Sequence, residues 1–164
     1  MIYVTVGTHE QQFNRLIQCV DELKGNGIIE EEVVIQKGYC TYTPLFSEYK
    51  DMYSYDELQQ KLKAARIVIT HGGPSSFIQV LQTCKIPIVV PRSKNFKEHV
   101  NNHQLEFCRA VSERYHNIIL VEDIADLKDT ILNYDSIVKG MSGGMTCNNA
   151  EFMKGFELML EDMF

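Results

Sequence analysis

The sequence has no apolar run approaching the roughly 18 to 20 residues that a membrane-spanning helix needs; its longest are stretches such as Ile67 to Ile69 and Ile86 to Val90. No transmembrane helix is expected. Met1 to Gly7 reads as a strand and lacks the basic region, apolar core and cleavage site of a signal peptide, so a cytoplasmic chain is expected. The five cysteines, at 19, 40, 84, 108 and 147, contain no Cys-x-x-Cys pair, which supports neither a disulfide framework nor a zinc ribbon. Reduced thiols, mostly in the core, are expected. Basic residues are outnumbered 16 to 22 by acidic ones, and the net charge of −6 argues against nonspecific binding of nucleic acid, which needs a basic surface to replace counterions. There is no internal repeat. Neither a Walker loop nor a Gly-x-Gly-x-x-Gly fingerprint occurs, which weakens ATPase and dehydrogenase readings. No cysteine with a histidine at recognisable spacing is present, so a hydrolase is not expected.

What is there suits one globular domain: 164 residues, 45% hydrophobic and 23% charged. Strand-like and helix-like apolar periods alternate, the pattern of an α/β fold with a parallel sheet covered by helices. Strands are expected at Ile2 to Val6, Val33 to Gln36, Arg66 to Thr70, Pro87 to Val90 and Asn117 to Val121, each apolar on both faces as buried parallel strands are. Helical spacing links Phe13, Leu16, Ile17, Val20 and Leu23, then Leu58, Leu62 and Ala65, then Phe77, Val80, Leu81 and Cys84. Further helices are expected over His99 to Arg114 and, opened by an Asp123 cap, over Asp123 to Tyr134. Residues 39 to 54 show no period and are either a loop or an irregular extra strand. The domain therefore spans 1–138. Residues 139–149, with three glycines, read as a flexible linker to an amphipathic helix at 150–164, whose stripe is Phe152, Phe156, Met159, Leu160 and Met163.

The sharpest local pattern is Ile67-Val68-Ile69-Thr70-His71-Gly72-Gly73-Pro74-Ser75-Ser76, a strand passing through two glycines into a helix. Glycines allow close backbone approach, Pro74 fits a first helical turn, and exposed amides there favour an anion such as phosphate. A tight turn with a serine cap is the plainer alternative. Val4-Thr5-Val6-Gly7-Thr8-His9-Glu10 repeats the theme at the first strand end. Open α/β sheets bind ligands at the carboxyl ends of their strands, so both segments should line one crevice. The loop from Pro91 to Gln104 follows another strand and brings Arg92, Lys94 and Lys97 toward it, with His99, His103 and Gln104 on one side of the next helix. His99 and His103 have the spacing of a metal pair but no third ligand, and hydrogen bonding to phosphate or sugar is the better reading.

Val4 to Thr8, Ala65 to Gly73, Pro87 to Pro91 and His103-Gln104, in that order, resemble the C-terminal donor-binding half of GT-B glycosyltransferases of family 28. In particular they resemble the small subunits of two-component capsule and exopolysaccharide glycosyltransferases, and the cytosolic subunit of the split N-acetylglucosaminyltransferase of dolichol-linked oligosaccharide synthesis. The resemblance implies a Rossmann-like domain that binds a UDP-sugar and transfers the sugar with inversion to a lipid-linked saccharide acceptor, without a metal or other cofactor. It places Gly7 and Thr8 by the diphosphate, His71, Gly72, Gly73, Ser75 and Ser76 around the phosphates, and His103 and Gln104 at the phosphate or sugar. Gln79 stands where family members commonly have a ribose-gripping glutamate, losing charge assistance. One domain is only half of such an enzyme, so the resemblance implies a membrane-associated acceptor-binding partner that recruits this chain to the inner face of the membrane.

Three functions follow as alternatives: a donor-binding catalytic subunit, a nucleotide-sugar-binding regulatory module without turnover, and a homodimeric enzyme on a nucleotide sugar. For the first, His9 and Glu10 are the candidate general base, unless the partner supplies it and they merely bind phosphate and complement the helix start. The terminal helix either recruits the partner or packs back as a last core helix.

Overall fold

The computed structural model of the protein describes residues 1–141 and 149–163. Six strands form one all-parallel sheet in the order β3-β2-β1-β4-β5-β6: β1 (Ile2–Thr5), β2 (Val33–Gln36), β3 (Glu48–Lys50), β4 (Ile67–His71), β5 (Ile88–Val90) and β6 (Ile119–Leu120). The fold is a Rossmann-like doubly wound α/β domain, and the strand order reverses between β1 and β4. Ile2 lies opposite both Val33 and Ile67, which fixes the central register.

Because successive strand residues face opposite sides, the apolar runs feed two cores. Ile2, Val4, Val33, Ile35, Ile67, Ile69, Ile88 and Val90 pack under α1 (Asn14–Gly25) and α5 (Leu127–Leu132), meeting Leu16, Ile17, Val20 and Leu127. Tyr3, Val34 and Val68 face the other way, against Leu62 of α2 (Tyr55–Ala64) and Val80 of α3 (Pro74–Leu81). Val89 continues that face with Phe77, and with Phe107 and Val111 of α4 (His103–Tyr115). A capping box fixes the start of α2: Ser54 accepts from the Glu57 amide while the Glu57 carboxylate accepts from the Ser54 amide.

Four expectations change. Residues 39 to 54 contain both alternatives: a loop pinned where the Asp21 carboxylate accepts from the Tyr42 hydroxyl and the Leu45 and Phe46 amides, then β3, whose three exposed residues pair with β2. The helix expected from His99 begins at His103. Residues before it are held in turns, the Asn101 amide donating to His99 Nδ1 and the His103 amide to Asn101 Oδ1. The Asp123 side chain does cap, accepting from the Ala125 amide, but it opens a 3-10 turn that passes into α5, with α6 (Tyr134–Gly140) beyond a break at Asn133. Cys19, Cys40 and Cys108 are free thiols, whereas Cys84, on an exposed turn after α3 at φ +60°, is disulfide-bonded.

Of the stretch read as a linker, Lys139 and Gly140 end α6, Asn149 opens α7 (Asn149–Met163), and 142–148 lie outside the described residues. In α7, Phe156 and Met159 are buried against Phe77, Phe107 and Ile118, so this part of the stripe covers the domain's own core. The Phe156 ring meets Phe107 edge-on at 5.5 Å between centroids. Phe152, Leu160 and Met163, the rest of the stripe, lie outside the described side chains.

Candidate functional site

A crevice of about 740 Å³ opens at the carboxyl ends of β1, β2 and β4, where the strand order reverses. It is lined by Gly7, Thr8, His9 and Glu10 after β1, His71 at the end of β4, Ser75, Ser76 and Gln79 on α3, and Gln104 on α4. Nine of the residues singled out from the sequence thus share one cavity. Gly72, His99 and His103 line a smaller cavity of about 250 Å³ that shares Gln104 as a wall. Gly73 caps the start of α3.

His71 organises the crevice floor. Its Nδ1 accepts from the Gly73 amide at 3.0 Å, so the ring proton sits on Nε2, which lies 2.9 Å from Ser76 Oγ and donates to it. The Ser76 hydroxyl proton is thereby left to donate toward a ligand. Burial, and then the nearby Arg92 charge, hold the imidazole neutral by pushing its pKa down to about 3. Two glycines flank the ring: a Cβ on Gly7 or on Gly73 would overlap it. Gly7 also has φ +73°, a conformation that glycine alone adopts without strain. A Cβ on Gly72 would press on Cys108 Sγ at 2.9 Å and Gln104 Cβ at 3.1 Å. These glycines therefore admit a histidine and a helix, where the sequence suggested that they admit a phosphate. The Gly73 amide is correspondingly occupied by His71.

Donors remain. The backbone amides of Thr8, His9, Glu10, Gln11 and Gln12 make no hydrogen bond among the described residues, nor does that of Ser75 at the start of α3. Of these residues Thr8, His9, Glu10 and Ser75 line the crevice, and unbonded amides beside a helix start suit an anion. His9 stacks on His99 at 4.8 Å and bonds Gln11 Oε1 at 3.2 Å, while Glu10 is exposed at the rim. Burial, followed by the charges of His9 and Arg92, lowers the pKa of His99. Off the helix, His99 cannot share an ion with His103 as an i, i+4 pair, and no group of three metal-ligating side chains exists among the described residues.

Arg92 is not in the crevice. It is fully buried, and its two Nη groups donate to backbone carbonyls behind the wall. Conversely, Thr5, Gln36, Leu58 and Leu62 line the cavity without having been singled out as site residues. Gln36 had one signal, a polar residue closing Val33-Val34-Ile35. Leu58 and Leu62 had none, since helical spacing marks them equally as core.

The model of the glycosyltransferase family 28 C-terminal domain matches residues 1–151. The chain belongs to this family. The family 28 domain is 33% identical over 124 residues to the human UDP-N-acetylglucosamine transferase subunit ALG13, and 32% identical over 125 residues to the mouse protein. Each match covers 70% of this chain and 10% of the relative, so the chain spans about a tenth of the length of these relatives. Among solved structures, the glycotransferase of kitacinnamycin superposes with a TM-score of 0.63 at 14% identity, over 98% of this chain and 42% of that one. That likeness concerns the fold, and this chain covers less than half of that structure. No helix among the described residues is long and apolar enough to cross a membrane.

Proposed function

We propose that this family 28 domain is the donor-binding catalytic subunit of a heteromeric inverting glycosyltransferase that uses a UDP-sugar. The observation that carries the reading is the crevice floor, where a neutral His71 fixes the Ser76 hydroxyl as a donor in a cavity also lined by Ser75 and Thr8–Glu10, whose amides are unbonded among the described residues. That is a diphosphate site in its chemistry. Gln79 lies one turn beyond Ser75 and Ser76 on the cavity wall, within reach of a ribose. The relatives, named as subunits of a UDP-N-acetylglucosamine transferase, support N-acetylglucosamine as the sugar and a second subunit as the partner.

The partner is read as a membrane-associated subunit that binds a lipid-linked saccharide and recruits this chain to the cytoplasmic face, in capsule, exopolysaccharide or related glycan synthesis. Glu10 and His9, which line the crevice, are read as the candidates to take the acceptor proton as the diphosphate leaves.

The test is calorimetry of UDP and UDP-N-acetylglucosamine on the wild-type protein and on Ser76→Ala. Losing a hydrogen bond to a charged group costs about 1.5–3 kcal/mol, so affinity should fall roughly tenfold to a hundredfold. An absence of UDP binding by the wild-type protein, or equal affinity in the variant, refutes the assignment.

A further inference from the structure

The loop that carries Thr8, His9 and Glu10 has no secondary structure of its own, and its amides from Thr8 to Gln12 make no hydrogen bond among the described residues. Its two ends are held through carbonyls. Arg92 reaches back from the loop after β5 and donates from Nη2 to Val6 O at 2.8 Å, and from Nη1 to Gln11 O at 2.8 Å and Gln12 O at 3.2 Å. A third Nη1 contact, to Glu98 O at 3.1 Å, closes its own loop around it. A guanidinium offers five donors in a rigid plane, and here that plane gathers carbonyls from both ends of the 7–12 segment. The fork thereby anchors the segment near both ends, where the Gly7 amide donates to Thr5 Oγ1 and the Phe13 amide to Cys40 Sγ, and between these fixed points the Thr8, His9 and Glu10 backbone lines the crevice.

The two loops are joined at further points. Glu98, fully buried, accepts from Arg15 Nε and Nη2, both at 2.9 Å, and from the Ser93 amide at 2.9 Å. Gln12 Nε2 donates to Phe96 O at 3.2 Å, and the Arg15 guanidinium lies over the Phe96 ring at 4.6 Å. The buried cation is thus matched by a buried anion, the condition under which such groups are tolerated in a core.

Resting on the donor-site reading above, the geometry points to Arg92, backed by Glu98 and Arg15, as the positioning residue of the diphosphate site: it never touches the ligand, and it holds the Thr8–Gln12 segment in place beside the ligand by anchoring the carbonyls of Val6, Gln11 and Gln12 at its two ends. Its charge is secondary to its fork. A lysine would keep the charge and lose the simultaneous hold on the two ends of the segment.

The experiment compares wild-type protein with Arg92→Lys by two readouts, calorimetric UDP affinity of the folded protein and NMR order parameters of the Thr8–Gln12 amides without ligand. In the wild type these amides should be as rigid as the sheet, with order parameters near ~0.85; in Arg92→Lys they should fall below ~0.6, with UDP affinity reduced at least roughly tenfold. Unchanged order parameters in the variant overturn the inference, as does restoration of full affinity by lysine, which would make Arg92 a remote charge only. If Arg92→Lys does not fold, the wild-type order parameters decide alone: values below ~0.6 across Thr8–Gln12 mean that the guanidinium does not hold the segment and overturn the inference. Should the wild-type protein bind no UDP, the donor-site reading fails, while the order parameters still decide whether the guanidinium holds the loop.

Discussion

Replacing Gly7 by alanine perturbs the crevice without touching any ligand, and its cost divides into two parts. At φ +73° an alanine pays the left-handed penalty of about 1–2 kcal/mol. The added Cβ would also overlap the His71 ring, which must shift and release the Gly73 amide and the Ser76 hydroxyl. A buried donor left unpaired costs about 1–3 kcal/mol. Together these amount to roughly 2–5 kcal/mol, or a fall in Tm of about 4 to 20 °C at the roughly 2–4 °C per kcal/mol usual for a chain of this size. Gly27 supplies the control: its φ is +72°, almost the same, with nothing within 4 Å of an added Cβ. Gly27→Ala should therefore show the conformational part alone, about 1–2 kcal/mol. The assay is scanning calorimetry of the two variants beside the wild type. If Gly7→Ala melts within 2 °C of Gly27→Ala, the glycine is not there to admit His71, and the account of the crevice floor is wrong.

Three more outcomes follow from the same geometry. His71 folds neutral with its pKa held down to about 3, so the unfolded chain binds a proton below about pH 6.5 that the folded chain refuses; stability is full above that pH and should fall by up to ~1.4 kcal/mol per pH unit on going to pH 5, above most carboxylate titrations. Urea unfolding at pH 7.5, 6 and 5 measures this, and a slope that does not flatten in His71→Gln removes His71 as the cause. Phe156→Ala should cost about 3–5 kcal/mol, since the ring is 2% exposed between Phe77 and Phe107; a change in urea midpoint too small to resolve would mean that α7 is not docked on the domain. Burial raises the Cys108 thiol to about 12, so iodoacetamide at pH 8 should modify half-buried Cys19 first and Cys108 only after unfolding; equal rates by intact mass would show that the α4 face is open.

Central strands were legible because Val, Ile and Leu face both sides, a pattern that few other structures produce. Strand β3 was not, because Glu48, Tyr49 and Lys50 are all exposed and bury no apolar face, being held by main-chain pairing with β2 and by surface contacts such as Lys50 with Glu57. Local sequence likewise hides the late start of α4: His99 to Asn102 could continue a helix, and side-chain to amide bonds at His99 and Asn101 win instead. The crevice was legible at its glycines, though for a different reason from the one the residues suggested, since His71 fills the space that they leave. Arg92 was the hardest to read. A basic residue in a polar loop looks solvated, and its burial is decided by carbonyls some eighty residues away in sequence.

The pairing of β1 with β4 sets a timetable for synthesis. Residue 2 lies opposite residue 67, a separation of about 65 residues, and at the ~5–20 residues per second of translation the middle of the sheet waits roughly 3 to 13 s for its second neighbour. Over that interval Ile2, Val4 and Val6 have β2 on one edge at most, and the other edge is an open template for any extended chain nearby. Slowing translation after residue 67 cannot shorten this exposure, whereas pauses placed between residues 7 and 66 lengthen it. Aggregation during synthesis should therefore depend on codon speed in the first part of the chain far more than in the last.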